Sequence, residues 1–558
     1  MPAIDPITTQ VIRNALKAAA DEMQISLVKT AHNPLIYEVH DFGVVLTDHL
    51  GQILAEGSGL PGFLGCLPSA IVSGLKVVGA ENFSDGDVIL TNEPDDTGTH
   101  LSDVVVYMPI LYKGRLVAFS SVMAHWADVG GVTPGGWCPD STDVHQEGMI
   151  FSHLKLYEGG KLNTTLERMI LKNVRFPELV HGDMNAMIAA CHTGARRYQA
   201  LCDRFGADVL QASMEAVFNQ SEQMMRRKVA EIPDGIYSAE TWLDHDGIEL
   251  DKPRKIKVTI TVKGEEMIMD WTGSSEVASG PINHPFVETR ALGYCLLKSL
   301  TAPFDPMNQG HLRPLTVTAP PNTVVSPVYP APCDSYGYVG EMIIQLIARA
   351  LSQAIPERCP ACSYQMFGPY FFRTDPRHGE PFIFIDPVDG GGGAFPHADG
   401  PSALIFVGDG DCPNTPAEII ETRYPLLVRR YALNLEGAGK GKYRGGFGVI
   451  RDYEMLEDNI LMQLMNENTL YPPWGLFGGD QSGVSKAIVW EGTDHEQVLT
   501  RRISYFGPLH KGDRVSARTT GGGGWGDPKE RDPELVKNDV LNGFLSAAEA
   551  EKIYGVKV

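Results

Sequence analysis

Cysteine is scarce in this chain: nine residues in 558, an odd number. That argues against a disulfide framework and fits a reducing compartment. Positive charge is also in deficit. Lys and Arg total 47 against 69 Asp and Glu, a net charge of −22 with neutral histidine. Such an acidic surface repels phosphate backbones and anionic bilayers, so neither nucleic acid nor membrane is expected as a partner. No run of 18 or more apolar residues is present, so no spanning helix is expected. The opening Met1-Pro2-Ala3-Ile4-Asp5 lacks the basic and apolar segments of a secretory leader, and a cytoplasmic protein is expected. A G-x-S-x-G elbow is absent, and so is a recognisable ATP motif.

What is present is ordinary globular composition, 43% apolar and 21% charged, over a length that suits three or four domains. The 59 glycines and 38 prolines lie above average usage and imply many turns and short strands. The fold class expected is α+β and multi-domain, with mixed, largely antiparallel sheets and helical segments. The divisions expected are 1–231 (an N-terminal α+β domain carrying the candidate site), 232–420 (a central α/β region) and 421–558 (strand-rich, with a short helical tail).

Asp5-Pro6 is a good N-cap followed by proline at the first helical position. The helix it opens should run to about Ala31, with Ile12, Leu16, Ala19, Met23 and Leu27 on one stripe. A hairpin is expected over 42–55 and a helix over 70–78. The clearest hairpin pairs 104–111 with 116–123 around Tyr112-Lys113-Gly114-Arg115. Helices are expected over 183–205 and 207–231.

If that hairpin turns at Lys113-Gly114, Tyr112 pairs with Arg115 and His125 faces Ser102. Its open end then brings His100, Asp103 and His125 together, although one bulge would shift the register. With Asp41 they make a mixed nitrogen and oxygen set suited to Zn²⁺, Mn²⁺ or Fe²⁺. An open coordination position would activate water or polarise a carbonyl. The plain alternative is a polar sheet edge, and His32, His40, His145 and His181 compete as ligands.

Other motifs weigh less. Gly521-Gly522-Gly523-Gly524-Trp525-Gly526 satisfies G-x-G-x-x-G but runs straight into Asp527-Pro528, so a tight structural loop is expected. Asp389-Gly390-Gly391-Gly392-Gly393-Ala394 reads equally as a turn or as amides open to a ligand. Gly437-Ala438-Gly439-Lys440-Gly441-Lys442-Tyr443 has three residues between its outer glycines and Tyr where a Mg²⁺-binding Ser or Thr belongs, so it is no P-loop. Cys359-Pro360-Ala361-Cys362 is a lone pair and reads as incidental thiols.

Taken together, several ordered blocks resemble the hydantoinase B/oxoprolinase family. Thr99-His100-Leu101-Ser102-Asp103-Val104 is similar to its T-H-L-x-D-V, and His125-Trp126-Ala127-Asp128-Val129-Gly130-Gly131 to its H-x-x-D-[IV]-G-G. Gln146-Glu147-Gly148, Asn173-Val174-Arg175 and His181-Gly182-Asp183 follow in order. Gly439-Lys440-Gly441-Lys442-Tyr443-Arg444-Gly445-Gly446 and the closing Gly521-to-Pro528 block complete the likeness, which spans nearly the whole chain.

The resemblance implies a two-component, ATP-dependent enzyme. A hydantoinase A-type subunit would bind ATP and Mg²⁺, which explains the missing nucleotide motif, and the assembly would be a hetero-oligomer. This chain would carry a divalent transition metal, zinc ahead of manganese or iron, on Asp41, His100, Asp103 and His125. Asp128 or Glu147 would serve as base or outer-shell partner. The reaction expected is hydrolysis of a hydantoin, 5-oxoproline or another lactam. The alternative is ATP-dependent carboxylation of a ketone, as in acetone and acetophenone carboxylases, with bicarbonate. A third reading is a scaffold whose metal only ties the hairpin to Asp41. The chain departs from lactam-hydrolysing members over 58–68, where two histidines are replaced by Ser58 or Gly59 and by Gly62 or Phe63, and at Ile36-Tyr37-Glu38-Val39-His40. A more apolar ligand is implied if that loop shapes the pocket.

Overall fold

A computed structural model describes residues 5–410 and 412–558. The chain divides into two compact units that interleave along the sequence. The first comprises Met1–Ile236, Val258–Gly340 and Gly408–Pro413, and the second Tyr237–Lys257, Glu341–Val407 and Asn414–Val558. Both combine helices with sheets in which antiparallel pairing prevails, as the α+β reading requires.

The first unit opens with α1 (Pro6–Thr30), whose Asp5 cap accepts from the Thr8 N–H at 3.0 Å. Its buried stripe is Ile12, Leu16, Ala19, Ala20, Met23 and Leu27, the spacing of one helix face. There follow α2 (Pro34–Tyr37), β1 (Phe42–Asp48), β2 (Ile53–Glu56), α3 (Pro61–Gly74), β3 (Val88–Thr91) and α4 (Pro94–Thr97). Then come β4 (Asp103–Tyr112), β5 (Arg115–His125), β6 (Leu154–Glu158) and β7 (Lys161–Leu162). The strands form one antiparallel sheet in the order β2-β1-β5-β4-β3-β6-β7. The helices α5 (Thr164–Lys172), α6 (Pro177–Phe205) and α7 (Ala207–Ala230) complete this stretch.

Side chains alternate across the sheet, and both faces are covered. Val44, Leu46, Val104, Val106, Val122 and Ala124 join the core built with α1 and α6. Val45, Ile89, Val105, Tyr107, Phe119 and Met123 join the one built with α3. A sheet buried on both faces reads as continuous apolar runs, which is why β4 and β5 stand out in the sequence. A smaller sheet pairs Glu266–Asp270 antiparallel with residues 259–263 and parallel with Leu315–Thr318.

The helix expected over 70–78 begins earlier, at Pro61, and ends at Gly74 before a π-turn over Leu75–Gly79. Its glycines read as loop, yet they permit close packing against α8 (Phe286–Thr301). A Cβ at Gly65 would come within 2.6 Å of the Ala291 Cβ. The helical stretch Pro61–Asn82 has the length and hydropathy of a membrane span, but it contains Pro68 and lays Phe63, Leu67, Ala70 and Ile71 into the core.

In the second unit, four strands (Gly368–Arg373, Phe382–Phe384, Ile460–Met465 and Ile503–Leu509) form one sheet and five form another. They share a core that includes Phe371, Tyr453, Met462 and Leu464. The glycine runs lie beside one another here. The amides of Gly391, Gly392, Gly393 and Ala394 donate to Thr520 O, Pro401 O, Ser363 Oγ and Gly523 O at 2.9–3.1 Å. None of those four is left for a ligand, so this run is structural. Gly522 N–H and Gly446 O close another link at 3.1 Å, as the structural reading of the 521–526 loop expects. Among the described residues no disulfide joins any of the nine cysteines, and Cys359 and Cys362 are buried thiols.

Candidate metal centre

The tight turn of the second hairpin, Lys113-Gly114, has positive φ at both positions (52° and 76°), which matches the twist of the strands it joins. Tyr112 pairs with Arg115 and Leu111 with Leu116, as expected. The register then shifts by one between Ile110 and Leu111, and from there Asp103 pairs with His125. On the other side of β5, Phe42 pairs with Ala124, and the His125 N–H donates to Asp41 O at 3.2 Å. Asp41, His125 and Asp103 therefore stand in a row across three adjacent strands. His100 joins them from the turn before β4, where Asp103 N–H closes on His100 O at 3.1 Å.

Three side-chain atoms converge. His100 Nε2 lies 3.2 Å from Asp103 Oδ1 and 3.2 Å from His125 Nδ1, and His125 Nδ1 lies 3.1 Å from Asp103 Oδ1. All three residues are buried. Asp41 stands at the rim, its side chain 21% exposed and its Oδ2 3.9 Å from His125 Nδ1.

The outer ring nitrogens decide what the inner ones carry. His100 Nδ1 meets the carbonyl oxygen of Asp334 at 3.1 Å, and His125 Nε2 that of Gly135 at 3.3 Å. A carbonyl only accepts, so each outer nitrogen carries the proton of the neutral imidazole. Each inner nitrogen then presents a lone pair. Two lone pairs and a carboxylate oxygen facing one another in a buried space repel unless a proton on His100 or a metal ion sits among them. The spacings are those of donor atoms about 2 Å from a shared ion. The donor set thus fits a divalent transition metal, and the backbone carbonyls orient the imidazoles as outer-shell partners do.

Charge tells the same story. Burial works against protonating His100, but Asp103 and Asp334 outweigh it and drive its pKa well up. Burial would raise the Asp103 carboxyl, but His100 and His125 hold it far down. The three groups together favour positive charge at their centre, supplied by a proton on His100 or by a metal ion. Burial pushes Asp41 up to about 6.

The surround comes from far along the chain. Tyr336 donates its hydroxyl to Asp103 Oδ2 at 3.1 Å, and its ring lies 5.2 Å from that of His100. Burial raises the Tyr336 pKa, so the O–H stays protonated. Asp334 accepts the Cys138 N–H through Oδ2, and Trp137 stacks on His125 at 6.1 Å and 18°. No spacing rule in the sequence points to Asp334, Tyr336 or Trp137.

The other named residues separate clearly. Asp128 is buried and engaged by Arg175, whose Nη1 is 2.8 Å from Oδ1 and whose backbone N–H donates to Oδ2. Glu147 takes the Ser141 hydroxyl at 2.6 Å and the Cys333 N–H at 2.9 Å. Burial, with Asp334 nearby, pushes its carboxyl up to about 8. Neither touches the three converging atoms among the contacts of the described residues. His145 pairs with Tyr329 at 2.8 Å and His181 with Glu167 at 3.3 Å. The His32 backbone N–H is tied to Asp183 at 2.8 Å, and the His40 ring lies against Phe42 at 5.8 Å. None of these four histidines belongs to the cluster. The departing stretch around 58–68 abuts the site: Leu60 N–H donates to the carbonyl of Phe42, next to Asp41, at 2.9 Å.

Comparison with known proteins gives this chain relatives. The family model for hydantoinase B/oxoprolinase matches residues 5–528. A putative D-/L-hydantoinase subunit from Pseudomonas sp. (strain NS671) is 34% identical, covering all of this chain and 95% of that protein. The crystal structure of the ATP-dependent caprolactamase from Pseudomonas jessenii superposes with a TM-score of 0.92 at 29% identity, over 100% of this chain and 97% of that one. A nucleotide-free acetone carboxylase superposes with a TM-score of 0.88 at 18% identity, over 99% of this chain and 79% of that one, a likeness of fold.

Proposed function

The chain belongs to the hydantoinase B/oxoprolinase family, and from that premise we propose that it is the metal-bearing subunit of an ATP-dependent enzyme that hydrolyses cyclic amides. The observation that carries this reading is the convergence of His100 Nε2, His125 Nδ1 and Asp103 Oδ1 within 3.2 Å of one another in a buried space. Those three, with Asp41 within reach, would hold a divalent metal, zinc ahead of manganese or iron. Bound there, it supplies Lewis-acid activation of water and of the amide carbonyl.

The chain's own residues set the conditions for that chemistry. The carbonyls of Asp334 and Gly135 hold both imidazoles in the metal-ready tautomer. Burial of the cluster excludes bulk water, and partly exposed Asp41 marks the approach. Asp128 and Glu147 act as positioning residues, the first fixing the segment after β5 through Arg175, the second fixing the segment that carries Asp334. Lactams resist opening, so activation needs a phosphoryl donor. ATP and Mg²⁺ would be bound by a hydantoinase A-type partner in a hetero-oligomer. A cytoplasmic location belongs to the same reading, on the scarcity and odd number of the cysteines.

Two relatives support hydrolysis over carboxylation. They are a hydantoinase subunit aligned over the whole chain and a caprolactamase of the same fold. The acetone carboxylase likeness is one of fold alone. The test is the complex with its ATP-binding partner, assayed on hydantoin, 5-oxoproline and caprolactam, and on acetone with bicarbonate. Ring-opened amino acid with ATP consumed supports the reading. A β-keto acid from the ketone and no opened lactam would replace it with the carboxylase.

A further inference from the structure

Asp103 uses its two oxygens differently. Oδ1 lies at the meeting point with His100 and His125, at 3.2 and 3.1 Å. Oδ2 accepts the Tyr336 hydroxyl at 3.1 Å. Asp103 is fully buried, so bulk water does not compete for that second oxygen. Tyr336 is itself fixed in place. Its ring packs between those of His100 at 5.2 Å and His284 at 5.7 Å, and its backbone N–H donates to Cys333 O at 3.0 Å. His284 is anchored in turn by Thr289 Oγ1 at 2.8 Å.

A carboxylate can give a metal one oxygen or two. Which it does decides whether a small donor set leaves a coordination position open, and an open position separates a catalytic site from a structural one. We propose that Tyr336 is the positioning residue that keeps Asp103 monodentate and so leaves the centre a vacant position. The inference rests on the metal-bearing reading above. The hydroxyl engages Oδ2 with a charge-assisted hydrogen bond and holds the carboxylate so that Oδ1 alone faces the imidazoles. Two imidazoles, one Asp103 oxygen and Asp41 at the rim, 3.9 Å from His125, then make four donors, and the vacancy is the fifth position to which such a site can expand. Without the hydroxyl, Oδ2 is free to swing onto the ion and fill the vacancy. The phenol oxygen, not the ring, is the functional part.

The experiment uses the full chain loaded with Co²⁺, comparing wild type with Tyr336→Phe, folding checked by circular dichroism. X-ray absorption at the cobalt edge reads carboxylate mode directly, because a bidentate carboxylate brings its carbon close to the ion. The visible cobalt bands report coordination number, and azide titration probes the vacancy. Expected are a monodentate carboxylate in wild type and a bidentate one in Tyr336→Phe. The variant should keep about one cobalt per chain, with bands weakened several-fold and azide bound at least ~10-fold more weakly. Identical spectra and azide affinity in the two proteins would overturn the proposal. So would a bidentate carboxylate in wild type, a result that needs no variant to fold. Loss of cobalt from a folded Tyr336→Phe also counts against it, since the hydroxyl would then be needed for binding itself. Wild type that takes no cobalt at all would instead remove the metal-bearing reading beneath it.

Discussion

Glu147 grips the backbone of Cys333, with Oε1 2.9 Å from its N–H, one residue before the Asp334 carbonyl that orients His100. The grip ties the segment after β5 to a segment nearly two hundred residues away. Removing it with Glu147→Ala leaves the Cys333 N–H and the Ser141 hydroxyl unsatisfied in a buried place, at a cost of about 1–3 kcal/mol. Metal affinity should fall ~10-fold or more, as for other losses of outer-shell support. Thermal unfolding and metal titration measure the two effects.

The same carboxyl makes a pH prediction. Burial, with Asp334 nearby, puts its folded-state pKa at about 8, against about 4.3 in the unfolded chain. Between those values the folded state holds a proton that the unfolded state has released. This group's contribution therefore makes stability fall as pH rises through that window and level off above it. Glu147→Gln, which mimics the protonated form, should flatten the decline while keeping most of the grip. Denaturant titrations of both proteins at pH 5, 7 and 9 provide the check. Equal slopes would mean that Glu147 is ionised at neutral pH.

His125→Ala and His100→Ala each remove one of the converging nitrogens. The full chain purified without chelator should carry about one transition metal, and each variant little of it. Chelation of wild type should lower its melting temperature, because an ion that binds only the folded state stabilises it by mass action. Mass spectrometry and calorimetry read both. A metal-free wild type with a melting temperature unmoved by chelator would leave the cluster as a polar sheet edge.

The part of this centre legible in the sequence is the local part. A β-hairpin with an unmistakable turn has to bring its own ends together, so His100, Asp103 and His125 can be placed near one another from spacing alone. The one-residue shift between Ile110 and Leu111 is not readable, because nothing in an apolar strand marks where a bulge falls. Tyr336, Asp334 and Trp137 are invisible for a different reason: they reach the site through tertiary packing, which follows no spacing rule. The start of α3 is hidden because glycine and proline ordinarily punctuate loops, whereas Gly65 there permits close approach to Ala291.

Asp128 offers a sharper contrast between chemistry and support. Its carboxylate is buried against the guanidinium and backbone N–H of Arg175. Arg175 is 30% exposed, so removing Asp128 leaves a partly solvated guanidinium and an unsatisfied backbone N–H, at a cost of about 1–3 kcal/mol. Asp128→Ala should therefore lower the melting temperature, and any folded fraction should retain its metal. Arg175→Ala should reproduce the stability loss. If Asp128 were instead a base for the reaction, turnover would collapse while stability held, and paired unfolding and activity measurements separate the two.

The glycine-rich segments of the second unit should tolerate no side chain at all. A Cβ on Gly393 would run into the carbonyl oxygen of Ala361, and one on Gly446 into that of Pro401. Both obstacles are backbone, which cannot rotate aside as a side chain would. The segments are also cross-linked by their own amides, so a shift of one displaces the next. Gly393→Ala should cost more than the roughly 1–3 kcal/mol typical of overpacking, enough to leave little folded protein. Gly492→Ala is the control. Its positive φ of 77° carries a backbone penalty of about 1 kcal/mol, but a Cβ there meets open space. Soluble yield and melting temperature of the two variants compare packing with backbone strain, and a Gly393→Ala as stable as Gly492→Ala would show that the glycine layers can separate to admit a methyl group.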